Sequence, residues 1–233
     1  MTRHSSEADL SGVAALEEPV RRTLYFHVAS QHREVSRDEA ARAAGVSRAL
    51  AGFHLDRLAD EGLLEVSYRR VSGRSGPGAG RPAKLYRRSA RQVQISLPPR
   101  SYEVAAKLLA SAVDAADSGV VHDALRRSAH SLGVATAAEA RSSAGKGAGR
   151  RRLVGNTLKA LEAGGYEPVI EDGEIRLRNC PFHGLVGEHK ELVCGMNLAL
   201  VEGVIAGAAL PGAEARLDPR PGTCCVAISL HRP

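Results

Sequence analysis

The chain has 233 residues, 43% hydrophobic and 25% charged, the balance of a folded protein with a real core rather than a disordered one. No apolar run approaches the about 18 residues needed to span a bilayer, and the opening MTRHSSEADLSG lacks the basic-then-apolar pattern of a secretion signal, so no membrane protein is expected. Four cysteines are too few for a disulfide scaffold, which reads as cytoplasmic, and 3% aromatic residues argue against a stacking platform for single-stranded nucleic acid.

The net charge of +6 is unevenly spread. Residues 1–95 hold 16 Lys/Arg against 11 Asp/Glu, residues 96–150 hold 7 against 5, and residues 151–233 hold 9 against 10. Between Val66 and Arg91 there are eight basic residues and no acidic one. A stretch of one sign attracts a polyanion, whereas a merely solvated loop usually mixes signs.

In chain order, Glu18 to Ser30 reads as a helix with Val20, Leu24 and Val28 as its buried stripe. Ser36-Arg37-Asp38-Glu39 matches a capping box and opens a short helix that Gly45 ends. Ser47 caps a third helix, running to about Glu61 and stopped by Gly62. Two short helices across a glycine turn form a helix-turn-helix pattern. On a wheel, Ala51, Leu55 and Leu58 face inward, while Ala49, Phe53 and Asp56 point outward, flanked by Arg48, Gly52 and Arg57. The small Ala49 and Gly52 would let this helix sit deep in a groove, with Arg48 reaching a guanine edge or a phosphate. Phe53 is placed either to touch a thymine methyl or to pack on a neighbouring element. Asp56 and Asp60 would repel phosphates, so only the first half of the helix is expected to enter.

LLEVSY and AKLYRR then read as paired strands around RRVSGRSGPGAGRP. Strand, basic glycine-rich loop, strand is a wing, with Arg74 and Arg81 placed for phosphates or a minor groove. The loop lacks the Gly-Lys-Ser/Thr ending of a P-loop and no helix follows it. Ser36 to Val66 (SRDEAARAAGVSRALAGFHLDRLADEGLLEV) and Gly80 to Ser89 (GRPAKLYRRS) resemble the winged helix-turn-helix of bacterial ArsR- and DeoR-type regulators. The resemblance implies binding to double-stranded DNA.

After Leu97-Pro98-Pro99, Tyr102 to about Ala112 and Val120 to about Glu139 read as alanine-rich helices, with Val104, Leu108, Leu109, Val121, Leu125 and Leu132 as apolar spacing. These side chains suit either a plain core or the pairing of two subunits that a palindromic operator requires. SSAGKGAG, residues 142–149, reads as a flexible connection. RRLVGNTLKALEAGG is an amphipathic helix, and YEPVIEDGEIRLRNC is a hairpin turning at Asp172-Gly173. HKELVCGMNLALVEGVIAGA forms a long helix, and AEARLDP and TCCVAISL are two more strands. The expected fold class is mainly α with α+β: a winged helix-turn-helix over 1–95, a helical dimerisation linker over 96–150, and a small α+β sensor domain over 151–233.

All four cysteines fall in the last part: Cys180 at a strand end, Cys194 on the long helix, and Cys224-Cys225 at the start of the last strand. Thirteen residues separate the first two and 29 separate Cys194 from Cys224, which is neither the paired CxxC of a zinc ribbon nor a CxxC redox motif. Neighbours in a regular strand point to opposite faces, so Cys224 and Cys225 would serve one site only where the backbone is irregular. His183 and His189 are available as substitutes. A cysteine is otherwise a small buried hydrophobe.

The arrangement NCPFHGLVGEHKELVCGMN…PGTCC is similar to the sensor half of SufR-like repressors. That resemblance implies an iron–sulfur cluster, of 4Fe-4S type, on Cys180, Cys194 and Cys224, with Cys225 as candidate fourth ligand. Zinc, a thiol redox switch or a small-molecule pocket remain alternatives. No GxSxG, HExxH, P-loop or paired-carboxylate pattern is present, so an enzyme is not expected.

Overall fold

The computed structural model describes residues 7–31, 33–69, 82–93, 95, 102–116, 118–143 and 149–230. The chain divides into two compact units, 1–100 and 101–233. It is mainly helical, with a few antiparallel strands.

In the first unit, α1 (Glu7–Ala15) and α2 (Pro19–Gln31) precede a short strand β1 (Val35–Ser36). The Ser36 hydroxyl then accepts the Glu39 amide and starts α3 (Arg37–Ala44). Only half of the expected capping box forms, because the Glu39 carboxylate pairs with Arg33 instead. Gly45 ends α3 at φ +65, a conformation that costs glycine little. Ser47 caps α4 (Arg48–Asp60) through the Leu50 amide, and Gly62 turns the chain at φ +71 into β2 (Leu64–Arg69). β3 (Ala83–Arg88) pairs antiparallel with both β2 and β1, giving the order β1-β3-β2. Leu24, Val28, Val35, Ala51, Leu55, Leu58 and Tyr86 are fully or almost fully buried and form the core.

Sequence reading missed α1 and β1. α1 has almost no apolar sidedness, and it is placed by tertiary contacts: Ser11 donates to Glu61 at 2.6 Å and Arg91 pairs with Asp9 at 2.9 Å. Residues 70–81, with the wing residues Arg74 and Arg81, lie outside the described residues.

The second unit opens with α5 (Tyr102–Ala116) and α6 (Gly119–Ser143), followed by α7 (Arg150–Ala163). β4 (Pro168–Glu171) and β5 (Glu174–Leu177) form the expected hairpin, with Asp172 at φ 50 and Gly173 at φ 79, the two positive angles of a type I′ turn. Then come α8 (His183–Val186), α9 (Lys190–Ala208), β6 (Ala213–Leu217) and β7 (Val226–Leu230). The sheet order is β4-β5-β7-β6, antiparallel throughout. α7 and α9 pack on the sheet, with Leu161, Ile175, Leu177, Val201, Val204 and Ile228 between, and α6 packs against both helices.

One expectation needs correction. α6 is not a detached linker: its Ala137 is fully buried in the core of the second unit, and it packs along α9. The contact is made through small residues. A Cβ on Gly133 would overlap the carbonyl oxygen of Leu200, and one on Gly203 would overlap that of His130, so the two backbones touch directly. α9 is also long and apolar enough to cross a bilayer by length and composition alone, but 56% of the apolar stretch is buried within this unit, as in the core helix of a folded domain.

Candidate functional site

Two regions carry the sequence-derived candidates. The first is the outer surface of α4. Ser47, Arg48, Ala49, Phe53 and Arg57 are exposed, Phe53 at 67%. Phe53 makes an edge contact with His54 on the same helix, so it is not used to pack a neighbouring element among the described residues. Arg48 pairs with Asp38 at 2.7 Å, both side chains well exposed. Such a pair contributes about 1 kcal/mol or less and gives way readily to a stronger anion. Arg57 is held by Glu61 one turn on.

Gly52 departs from its expected role. It is buried, and a Cβ there would come within 3.3 Å of the Arg37 side chain. The missing side chain makes room for Arg37, not for a groove wall. Asp56 departs too, because its carboxylate is occupied. Oδ2 accepts Arg37 Nη2 at 2.6 Å, and Oδ1 accepts Lys84 Nζ and the Tyr86 hydroxyl, each at 2.6 Å. Arg37 Nε also donates to the Tyr86 hydroxyl at 2.8 Å. Burial pushes the Asp56 carboxyl up, but the hydrogen bonds from Lys84, Tyr86 and Arg37 outweigh it and hold the pKa below the usual value. Burial and Asp56 together push the Tyr86 hydroxyl far above its ordinary range. Two cations therefore screen the charge expected to repel phosphate.

A pH dependence follows. A carboxyl whose folded pKa is depressed stabilises the fold above its unfolded value, and that contribution is lost as pH falls through the folded value. Asp56→Asn is expected to destabilise the protein by about 1–3 kcal/mol at neutral pH, since it removes a charged acceptor from Arg37 and Lys84. Urea melts against pH should show the gap from wild type closing below about pH 4; a gap that stays constant to pH 2.5 would contradict this account.

The second region gathers all four cysteines. Cys180 follows β5 by three residues, Cys194 lies in the second turn of α9, and Cys224 and Cys225 precede β7. The expectation that Cys180 ends a strand and that the pair starts one is corrected: all three lie outside the ladders. This irregular backbone lets adjacent cysteines turn to one place. The Cys224 amide donates to Leu177 and the Cys225 carbonyl accepts from Asp218, which anchors the turn on both sides.

The thiols meet in a chain. Cys225 Sγ lies 2.6 Å from Cys194 Sγ, and Cys180 and Cys225 are both close enough to Cys224 to perturb its thiol. None is in a disulfide. The thiol of Cys180, with the Val226 amide, Asn197 and Cys225, overcomes burial and draws Cys224 down to about 6. Cys225 is pushed up to about 12 by burial and by its bond to Cys194, and Cys180 is driven up first by its bond to Cys224 and then by burial.

Sequence reasoning missed the support beneath them. Asn197 is fully buried; it donates through Nδ2 to Cys224 Sγ at 3.2 Å and accepts the buried Tyr166 hydroxyl through Oδ1. The signal available was a lone amide in the apolar run VCGMNLALV, three residues after Cys194. His189, by contrast, is withdrawn from the substitute ligands: it is 8% exposed, with Nδ1 on Asp114 and Nε2 3.3 Å from Ser111 Oγ. His183 is exposed at the start of α8.

Comparison with known proteins returned nothing: no protein family, no curated protein and no solved structure matches this chain. The chemistry must be read from the residues. Among the described residues, no three His, Cys, Asp or Glu side chains stand in the arrangement of a ready metal site. A sulfur pair at 2.6 Å is closer than the about 3.8 Å separating sulfurs on a tetrahedral metal with bonds of about 2.3 Å. The donor set itself does fit: four soft thiols drawn from three separate segments, with Cys180, Cys224 and Cys225 set against the apolar core of the unit. Thiolates in this number select zinc or an iron–sulfur cluster over hard cations.

Proposed function

We propose that this protein is a DNA-binding transcriptional regulator, resembling SufR-like repressors, whose operator affinity is set by an iron–sulfur cluster on Cys180, Cys194, Cys224 and Cys225. The observation that carries the reading is the convergence of all four thiols from positions with no local motif. When bound, the cluster supplies a redox- and oxygen-sensitive group. The chain's own residues do the rest. Asn197 orients Cys224, the Val226 amide stabilises its negative charge, and the burial of Cys194 and Cys224 limits access of water.

The DNA-binding half of the reading rests on α3 and α4 as a helix-turn-helix and on β2 and β3 as the base of a wing. Arg48, Ala49 and Phe53 lie exposed on one helix start, where unpaired amides and small side chains suit a phosphate and a base edge. Arg37 and Lys84 offset Asp56 beneath them.

A palindromic operator calls for two copies. Leu108 and Leu109 on α5 are 67% and 68% exposed, and Tyr102, Val120 and Leu132 are exposed as well. Of the two sequence-based alternatives for these side chains, a core position is overturned, and a partner surface is what exposed apolar side chains of this size support. Leu108→Glu combined with Leu109→Glu is expected to convert a dimer to monomer in sedimentation equilibrium without loss of helix content. A wild type already monomeric at micromolar concentration would sink this part.

The deciding experiment is anaerobic purification followed by a visible spectrum with iron, sulfide and zinc analysis. Brown protein with matching iron and sulfide supports the proposal. Colourless protein with one zinc moves it to a zinc site. A second reading is favoured by the direct contact of Cys194 with Cys225: with Cys180 and Cys224 as neighbours, the four can serve as two dithiols. Each would give up two electrons and two protons to an oxidant such as glutathione disulfide on closing a disulfide. Protein that binds neither metal and forms these two disulfides reversibly would establish it.

A further inference from the structure

The chain between Cys180 and Cys194 is cross-tied from end to end. The amide of His183 donates to Cys180 at 3.1 Å, Leu185 to Phe182 at 2.9 Å, His189 to Leu185 at 3.1 Å, and Val193 to His189 at 2.9 Å. A segment laced in this way moves as one piece. Both of its ends are cysteines of the site. Its outer side meets α5, and α5 has little else to hold it. Ala110 is the only buried residue of that helix. The Glu103 carboxylate lies beside Gly184, and His189 gives one ring nitrogen to Asp114 and the other to Ser111. α5 is also the first element of the second unit, joined to the first through residues 96–101.

We infer that segment 181–193 with its His189–Asp114 hydrogen bond is the coupling element of the regulator: it carries the state of Cys180 and Cys194 to α5. The inference rests on the proposed cysteine-held group. The sulfurs of Cys194 and Cys225 are in direct contact at 2.6 Å, and sulfurs bound to one metal centre stand farther apart than that. Filling the site parts Cys194 from Cys225, and as Cys194 gives way the laced segment moves with it. α9 cannot absorb the movement by sliding, because Gly203 interlocks it with the backbone of α6. The displacement therefore reaches His189, and through Asp114 it reaches α5.

The order hydroxyl, imidazole, carboxylate is also that of a serine nucleophile relay, but the setting is different. The amide that follows a nucleophilic serine completes an oxyanion hole, whereas the amide after Ser111 is inside a continuous helix and already bonded. The three groups are a tie, not a nucleophile.

The test uses the full-length protein, stripped or loaded anaerobically with iron and sulfide, and in parallel with zinc. Amide hydrogen exchange is followed over residues 102–116, and DNA affinity is measured on the same samples. In wild type, loading should change exchange in α5 and shift DNA affinity by about 5–150-fold. In Asp114→Asn and in His189→Gln, metal content and visible spectrum should stay at wild-type values while both responses fall away. Ser111→Ala, which removes only the outer hydrogen bond, should keep most of the response. A wild type whose site loads and whose segment 181–193 changes exchange while α5 does not would overturn the coupling and leave the cofactor reading standing. So would variants that load and still respond fully. Protein that takes up neither iron and sulfide nor zinc overturns the cofactor reading and this inference with it, and metal analysis identifies that case.

Discussion

Replacing Cys194 by serine is expected to empty the cysteine site and to bring the DNA affinities of treated and stripped protein to the same value, from a wild-type difference of about 5–150-fold. Cys194 is buried on a helix that is otherwise packed throughout. Serine keeps the size of the side chain but presents a harder donor, so the loss falls on binding and not on the fold. The same substitution at each of the other three positions separates the readings. One centre held by four thiolates makes all four variants alike, with iron, absorbance and DNA response lost together. Two independent dithiols make them alike in pairs: Cys194→Ser and Cys225→Ser leave Cys180 and Cys224 able to close their own disulfide. The comparison needs a metal assay, a thiol titration and a gel-shift titration. A Cys194→Ser protein with wild-type iron and wild-type response would remove the cofactor proposal.

The largest expected effect on stability comes from a different place. Gly203→Val is expected to cost about 3 kcal/mol or more and to lower the melting temperature of the second unit by on the order of 10 °C. The argument is geometric. The first carbon of any side chain at Gly203 falls on the His130 carbonyl, and that contact is main chain, which cannot rotate away. Gly133 repeats it from the other helix, against the Leu200 carbonyl. Gly155 is the internal control: it also lies inside a helix, α7, yet nothing lies within 4 Å of the position of a Cβ. Gly155→Ala should therefore stabilise by up to about 1 kcal/mol, the ordinary helix preference of alanine. Calorimetry of both variants decides the matter. Equal melting temperatures would mean that α6 and α9 stand farther apart than described.

Local signals were legible in the sequence wherever backbone chemistry is local. Ser36, Gly45, Ser47 and Gly62 mark α3 and α4 because caps and turns are settled within a few residues. The Asp172-Gly173 hairpin is legible for the same reason. The site was legible only as a composition, four cysteines in one part of the chain, and not as a geometry. That Cys224 and Cys225 can serve one place depends on their lying before β7 rather than in it, and no local pattern marks where pairing begins. Asp56 misled for a related reason. Its charge is visible in the sequence, but the Arg37 and Lys84 that screen it come from α3 and β3, 19 and 28 residues away. The outward face of α5 was ambiguous because leucine spacing reads alike for a core and for a partner surface. The α6–α9 contact went unseen since glycines inside a helix ordinarily signal weakness rather than close approach.

The strand order β4-β5-β7-β6 has a consequence for biosynthesis. A chain leaves the ribosome in sequence order, so β5 and β6 emerge before the strand that must lie between them. Until residues 226–230 follow, both expose unpaired edges, and Cys224 and Cys225 have not yet been set against Cys180 and Cys194. The unit cannot close progressively; it closes when its middle strand arrives. Any group held by all four cysteines therefore finds its site only after the sheet has closed, and a translation product that stops short of β7 is left as an open sheet for proteases to clear.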